Sequence, residues 1–153
     1  MKIIIMMYTI ILSSLLLLHF AAQTVRAADK GSERVAKATF AGGCFWCMEK
    51  PFESLDGVKA VISGYTAGTS KDPDYENYEA GGHIEAVEII YDPALISYEK
   101  LLDVFWHQIN PTDPDGQFVD RGHAYSTAIF YHNEQQKEAA EKSKEALAAR
   151  HIF

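Results

Sequence analysis

Cys44 and Cys47 are the only thiols in the chain, and they stand three residues apart within Phe40-Ala41-Gly42-Gly43-Cys44-Phe45-Trp46-Cys47-Met48. A pair at this spacing can do redox chemistry: one sulfur attacks and the other closes a disulfide. A carboxyl of interest, Glu85, lies in the run His83-Ile84-Glu85-Ala86-Val87-Glu88-Ile89-Ile90-Tyr91, on the side that carries Val87 and Ile89. A carboxyl on an apolar face has a raised pKa and can donate its proton near neutrality. The alternative is a solvated charge on an edge strand, a reading that suits Glu88.

Other readings of the thiol pair stay open. It could be apolar filler, since free cysteine is among the most buried residue types, but filler does not need the Gly-Gly that precedes it. It could be half of a zinc site, yet a structural zinc takes four ligands and the chain has no second cysteine pair. His83, His107 and His123 show no ligand-like spacing to the thiols. A purely structural disulfide across so short a loop removes little chain entropy. The spacing favours a redox-active pair.

The elements that must position these groups follow from periodicity. Residues 35–40 form an apolar run that predicts a buried strand, and Gly42-Gly43 predicts a tight turn. Phe45, Met48, Phe52 and Leu55 recur at helical spacing, which predicts a helix over 45–55 with Cys44 at its mouth. Amide N–H groups and the macrodipole there favour an anion, so Cys44 is expected to have a depressed pKa. Cys47 lies one turn along, within disulfide reach. A strand is predicted over 58–65, then a long polar loop over 67–82 that carries Tyr75 and Tyr78. Those tyrosines either bind something or pin the loop to the body.

The strand over 83–91 ends at Asp92-Pro93. Ser97 caps a helix over 98–109 whose core side is Leu101, Leu102, Phe105 and Ile109. Trp106 and His107 on it are read as packing. A second polar loop covers 111–123, a last strand 125–131, and a helix opened by Asn133 runs to about Arg150. The order is β-α-β-β-α-β-α. It predicts an α+β fold with a ferredoxin-like, split-βαβ core, a mixed sheet with helices packed on it.

Residues 1–27 read as a signal peptide: Lys2 is the basic start, 3–20 is nearly continuous apolar sequence, and Val25-Arg26-Ala27 offers a cleavage site after Ala27. The alternative is an uncleaved membrane anchor of marginal length. The expectation is an exported protein, periplasmic or secreted, in a compartment where disulfides persist. Residues 28–153 then form one domain with 12 basic and 21 acidic residues. That acidic balance excludes nucleic acid as a partner, which needs a basic footprint.

Three motifs together carry a resemblance: Gly43-Cys44-Phe45-Trp46, then Gly82-His83-Ile84-Glu85-Ala86-Val87, then Asp120-Arg121-Gly122-His123-Ala124-Tyr125. In this order and spacing the chain resembles the peptide-methionine (S)-S-oxide reductases, the A-type methionine sulfoxide reductases, from about residue 35 to 153. The resemblance implies that Cys44 is the nucleophile and Cys47 the resolving thiol, and that Phe45 and Trp46 hold the substrate methyl group. It implies that Glu85 protonates the sulfoxide oxygen, that Tyr75 and Tyr125 bind that oxygen, and that Asp120 holds the substrate. The implied substrate is methionine S-sulfoxide, free or in proteins, and the implied reductant is thioredoxin or a similar dithiol. No metal or organic cofactor is implied, and the protein is expected to be a monomer.

The chain departs from the family pattern in having no cysteine near its C-terminus and in carrying Ala124-Tyr125-Ser126-Thr127 where members usually have Gln-Tyr-Arg-Ser. Members also continue past the position of Phe153, so the domain is expected to lack the family's C-terminal tail. The rival readings are a general thiol–disulfide oxidoreductase and an exported scaffold protein with a structural Cys44–Cys47 bridge. Neither needs a proton-donating Glu85.

Overall fold

The strand that holds Glu85 is apolar on both faces because it lies in the middle of a sheet. Ile84, Ala86, Val87, Ile89 and Tyr91 are all buried. The computed structural model describes residues 34–150; the signal-peptide reading of 1–27 and the expected loss of a tail beyond Phe153 concern segments outside the described residues. No helix among the described residues is long and apolar enough to cross a membrane.

The elements are β1 (Ala36–Gly42), α1 (Phe45–Glu53), β2 (Val58–Thr66), β3 (Ile84–Tyr91), α2 (Tyr98–Gln108), β4 (Gly116–Gln117), β5 (Asp120–Arg121), β6 (Thr127–Phe130) and α3 (Glu134–Ala148). Strand order in the main sheet is β2-β3-β1-β6, and β4 and β5 form a separate small hairpin. The fold is α+β, as expected, but the sheet is not mixed. Every pairing in it is antiparallel. The reason is that each helical crossover skips one strand position. Strands β1 and β2 point the same way with β3 between them, and β3 and β6 point the same way with β1 between them. Parallel strands therefore never become neighbours. Nor is β3 an edge. Glu88 on it is partly exposed and pairs with Lys37 of β1 at 2.8 Å.

Alternation along β1 and β3 sends Ala38, Phe40, Val87 and Ile89 to the face that meets α1 and α2. There Phe40 packs on Phe52 and stacks on Phe105, with ring centroids 5.7 and 4.9 Å away. Complete burial of side chains of this size contributes roughly 1.5–3 kcal/mol each. Ala41, Ile84 and Ala86 form a smaller cluster on the opposite face with Ala128 and Phe130.

The helix starts follow local chemistry. The Ser97 hydroxyl accepts from the Lys100 N–H and the Asn133 side chain from the Gln136 N–H. Gln136 is itself buried, accepts from the His132 N–H and donates to the Lys37 carbonyl, so it ties α3 to β1. The Trp106 indole donates to Ser143 and ties α2 to α3, in line with a packing role. The last strand is shorter than the sequence pattern predicts, because His123–Tyr125 turns as a 3₁₀ helix after Gly122, whose φ is +105°.

Candidate active site

Cys44 sits where β1 hands the chain to α1. It is half-buried and is the N-cap residue of α1, with no side chain capping the helix from that position. The turn depends on Gly43. Its φ is +88°, and a Cβ there would lie 2.7 Å from the Cβ of Gln117. Glycine alone takes that conformation without strain and leaves the gap. Gln117 is buried behind the turn, where its amide donates to the Asn110 carbonyl and the Thr127 hydroxyl and its oxygen accepts from the Asn110 N–H.

Glu85 reaches the same place from β3 and is only 2% exposed. Its Oε2 accepts from the Phe45 N–H at 2.8 Å, and its Oε1 accepts from the Tyr78 hydroxyl at 2.9 Å. The Glu85 carboxylate therefore already occupies part of the anion site that the helix mouth offers. This corrects one expectation about Cys44. Burial pushes the thiol up from its ordinary 9.0; amides of Trp46 and Cys47 pull it down, and the charge of Glu85 pushes it up again, leaving it raised. The helix mouth does stabilise a thiolate, but not enough to offset desolvation beside a carboxylate.

Cys47 is exposed and lies one turn further on, its N–H bonded to the Cys44 carbonyl at 3.0 Å. Residues one turn apart on a helix have Cβ atoms about 5–6 Å apart, so modest adjustment of the first turn allows a bridge. Among the described residues no group of His, Cys, Asp and Glu is arranged to hold a metal ion.

The walls are aromatic. Tyr65 of β2 pairs with Glu85 across the sheet, and its ring stacks on Tyr78 at 4.3 Å. Phe45 lies 5.7 Å from both Tyr65 and Trp46. Tyr125 lies beside Tyr78, and burial together with the neighbouring Tyr125 and the bond to Glu85 keeps the Tyr78 phenol protonated far above its usual range. The neighbouring Tyr78 pulls Tyr125 down, but burial and the charges of Glu85, Asp120 and Cys44 carry it above the ordinary value. Asp120, in β5, is half-buried.

Hydrogen bonds fix the loops that carry these groups. His83 is buried with its Nε2 against Ser70, and its ring fills the space that Gly68 and Gly81 leave open. His123 Nε2 bonds the Gly82 carbonyl, which ties the 3₁₀ turn of Tyr125 to the start of β3. Arg121 grips Asp113 with two bonds of 2.7 and 3.0 Å.

Tyr75 lies at the outer edge of these walls, its ring 6.3 Å from that of Tyr78. It is 62% exposed and stacks on the indole of Trp46, with centroids 6.3 Å apart. The hydroxyl that meets Glu85 belongs to Tyr78. The resemblance assigns oxygen binding to Tyr75, whereas the hydroxyl bonded to Glu85 here comes from the other tyrosine of the same loop. Nothing in the sequence marks Tyr65 or Gln117, and His83, weighed there only as a metal ligand, instead braces the loop. Only the register Tyr65↔Glu85 brings Tyr65 to the site, and that register is invisible before the strands are paired. A groove of about 740 Å³ between β6, α2 and α3 includes none of these side chains.

The peptide methionine sulfoxide reductase family matches residues 36–153. The chain belongs to that family. A peptide methionine sulfoxide reductase MsrA of Listeria monocytogenes is 59% identical over 119 residues, which cover 76% of this chain and 67% of that protein. The structure of methionine sulfoxide reductase A of Corynebacterium diphtheriae is similar with a TM-score of 0.69 at 26% identity, over 80% of this chain and 62% of that one. Reduced Mxr1 from Saccharomyces cerevisiae is similar with a TM-score of 0.72 at 25% identity, over 78% of this chain and 72% of that one. The chain thus spans about two thirds of the length of the relatives it matches. The segments that carry Cys44, Glu85 and Tyr125 meet around Glu85.

Proposed function

We propose that the chain reduces methionine S-sulfoxide, free or within peptides and proteins, to methionine, with Cys44 as nucleophile. One observation carries this reading: the buried Glu85 carboxyl is bonded to the Tyr78 hydroxyl and to the first amide of the helix that Cys44 caps. Thiol–disulfide exchange needs no acid to protonate an oxygen and no phenol to hold one. A sulfoxide does, because its oxygen leaves sulfur only once protonated.

In this reading the Cys44 sulfur attacks the sulfoxide sulfur while Glu85 delivers a proton to the oxygen. Tyr78 and Tyr125 orient that oxygen and stabilise its developing charge. Phe45 and Trp46 hold the methyl group, and Asp120 holds the substrate backbone. Methionine leaves, and the oxygen passes to Cys44, which becomes a sulfenic acid. The Cys47 thiol condenses with it, water is lost, and a Cys44–Cys47 disulfide forms. A dithiol protein of the thioredoxin kind gives two electrons to that disulfide and restores both thiols. Cys44 is better able to ionise when Glu85 carries the transferable proton, since the charge that opposes the thiolate is then gone.

The test is turnover of a methionine S-sulfoxide peptide beside its R epimer. Methionine is expected from the S epimer alone. Cys44→Ser is expected to release none, and Cys47→Ser about one methionine per enzyme before stalling as the sulfenic acid. Full activity of Cys44→Ser, or equal turnover of the R epimer, overturns the reading.

A further inference from the structure

Two exposed apolar features adjoin the Cys44 turn, one within α1 and one on a distant hairpin that packs against Gly43, and the chemistry above uses the outward surface of neither. After Cys44, Trp46 is 65% exposed and stacks on Tyr75, itself 62% exposed, at 19°, so both rings keep aromatic surface open to solvent. Tyr75 is fixed there, not mobile. The Asp74 side chain accepts from the N–H groups of Glu76 and Asn77, and the Asn77 side chain accepts from the Asp74 N–H. Before Cys44, Gly43 packs on Gln117, and the next two residues, Phe118 and Val119, form the tip of the β4–β5 hairpin. Their exposures are 70% and 88%. The Cα of Phe118 is within about 8 Å of the Cβ position at Gly43, given the spacing of successive Cα atoms.

Phe118 has a φ of +52°. A hairpin tip that needs positive φ ordinarily takes glycine, and a large side chain there is strained. Here a strained position holds an exposed phenylalanine beside the nucleophile's turn. Exposed apolar surface next to a binding site marks a contact for a partner. The surrounding charge indicates which partner. The loop bearing Tyr75 contains Asp72, Asp74, Glu76 and Glu79 against Lys71 alone.

We propose that Tyr75 with the outer face of Trp46, and Phe118 with Val119, form a docking rim for the residues on either side of the methionine sulfoxide, and that the rim selects apolar segments that carry basic charge. The inference rests on the activity proposed above and specifies its substrate.

The test compares S-sulfoxide peptides with the methionine flanked by glycines or by Phe and Leu, each closed by Lys or by Glu. The Phe/Leu peptide with Lys ends is expected to exceed the glycine peptide by about tenfold in kcat/KM, through KM, the worth of partly burying one large side chain. Glu ends are expected to lower that advantage at low salt and not at high salt. Phe118→Gly is the decisive variant, because glycine accepts φ +52° and keeps the hairpin. It is expected to melt at the same temperature or higher and to lose most of the preference. Tyr75→Ser is expected to lose part of it.

Equal kcat/KM for both peptides, or a full preference in Phe118→Gly, overturns the rim and leaves the reductase reading intact. Absence of turnover with every S-sulfoxide peptide overturns both. A dimer that Phe118→Gly dissociates, with the preference retained, assigns the tip to self-association instead. A defect confined to recycling by a dithiol protein assigns it to the reductant.

Discussion

The floor and the walls of the site are built differently. Cys44, Phe45 and Glu85 come from the junction of β1 with α1 and from β3, where sheet register and core packing leave them one arrangement. Tyr78, Tyr125 and Asp120 come from a loop, a 3₁₀ turn and a two-residue strand. Polar bonds hold these in place: His83 to Ser70, His123 to Gly82, and Arg121 to Asp113. Groups that make and break bonds thus stand on regular structure, whereas groups that orient and select stand on braced loops. Changes to the floor should stop chemistry, and changes to the walls should scale it.

The largest separation is expected for Glu85→Gln. The amide keeps the size of the side chain and still accepts hydrogen bonds, but it cannot deliver a proton. Single-turnover release of methionine should fall about 10²–10⁴-fold, the usual share of general acid catalysis. The same variant should act in the opposite direction on the free thiol. The Glu85 charge helps to hold Cys44 above 9.0, so its removal lowers the pH at which the thiolate forms. Alkylation of Cys44 followed against pH should shift to lower pH in Glu85→Gln. A faster thiol in a slower enzyme separates proton delivery from nucleophile activation. If the chemical step slowed by less than threefold, the floor would not contain the acid.

A smaller effect is expected in the wall, and it distinguishes two tyrosines of one loop. Tyr78→Phe removes the hydroxyl that bonds Glu85 beside Tyr125. A loss of about 10²–10³ in kcat is expected, comparable to deleting one donor from an oxyanion-binding site. Tyr75→Phe keeps the ring on Trp46 and removes a hydroxyl at an exposed position, so kcat should stay within about threefold, the scale of a solvent-exposed hydrogen bond. The reverse ranking would return the oxygen-binding role to Tyr75 and make the contact between Tyr78 and Glu85 structural.

What could be read in the sequence divides along the same line. The strand, glycine turn and helix around Cys44 follow from spacing, and so does the side of β3 that carries Glu85, because periods of 3.6 and 2 are local properties. The sheet's strand order decides where the loops meet, and no local period encodes it. Tyr65 illustrates this. Nothing in residues 58–66 marks it, and it joins the site only through its register with Glu85. The raised pKa of Cys44 was hidden for a related reason. The helix mouth could be read from the turn, but the burial that outweighs it comes from the assembled fold, and the Glu85 carboxylate that adds to it arrives from a strand 40 residues away.

A modest effect confined to one step lies within the floor and tests whether the floor is rigid throughout. Pro51 is inside α1. It has no N–H, so the Cys47 carbonyl lacks the bond that residue 51 would otherwise donate, and its ring crowds that carbonyl. The first turn of α1 is therefore less firmly tied to the rest of the helix than the turn that carries Met48 and Phe52. Attack of Cys44 on a substrate needs no movement of that turn, whereas closure of a Cys44–Cys47 bridge does, since disulfide geometry is narrower than helix geometry allows at rest. Pro51→Ala restores the missing bond, worth about 0.5–1.5 kcal/mol net. Met48, Phe52 and the core beneath are untouched, so methionine release in a single turnover should be unchanged. Formation of the disulfide from the sulfenic acid should slow by about two- to tenfold, the rate equivalent of that bond. Rapid quench with thiol counting resolves the two steps in one experiment. An unchanged second step would show that the first turn closes the bridge without loosening, and that the floor is as rigid at Cys47 as at Glu85.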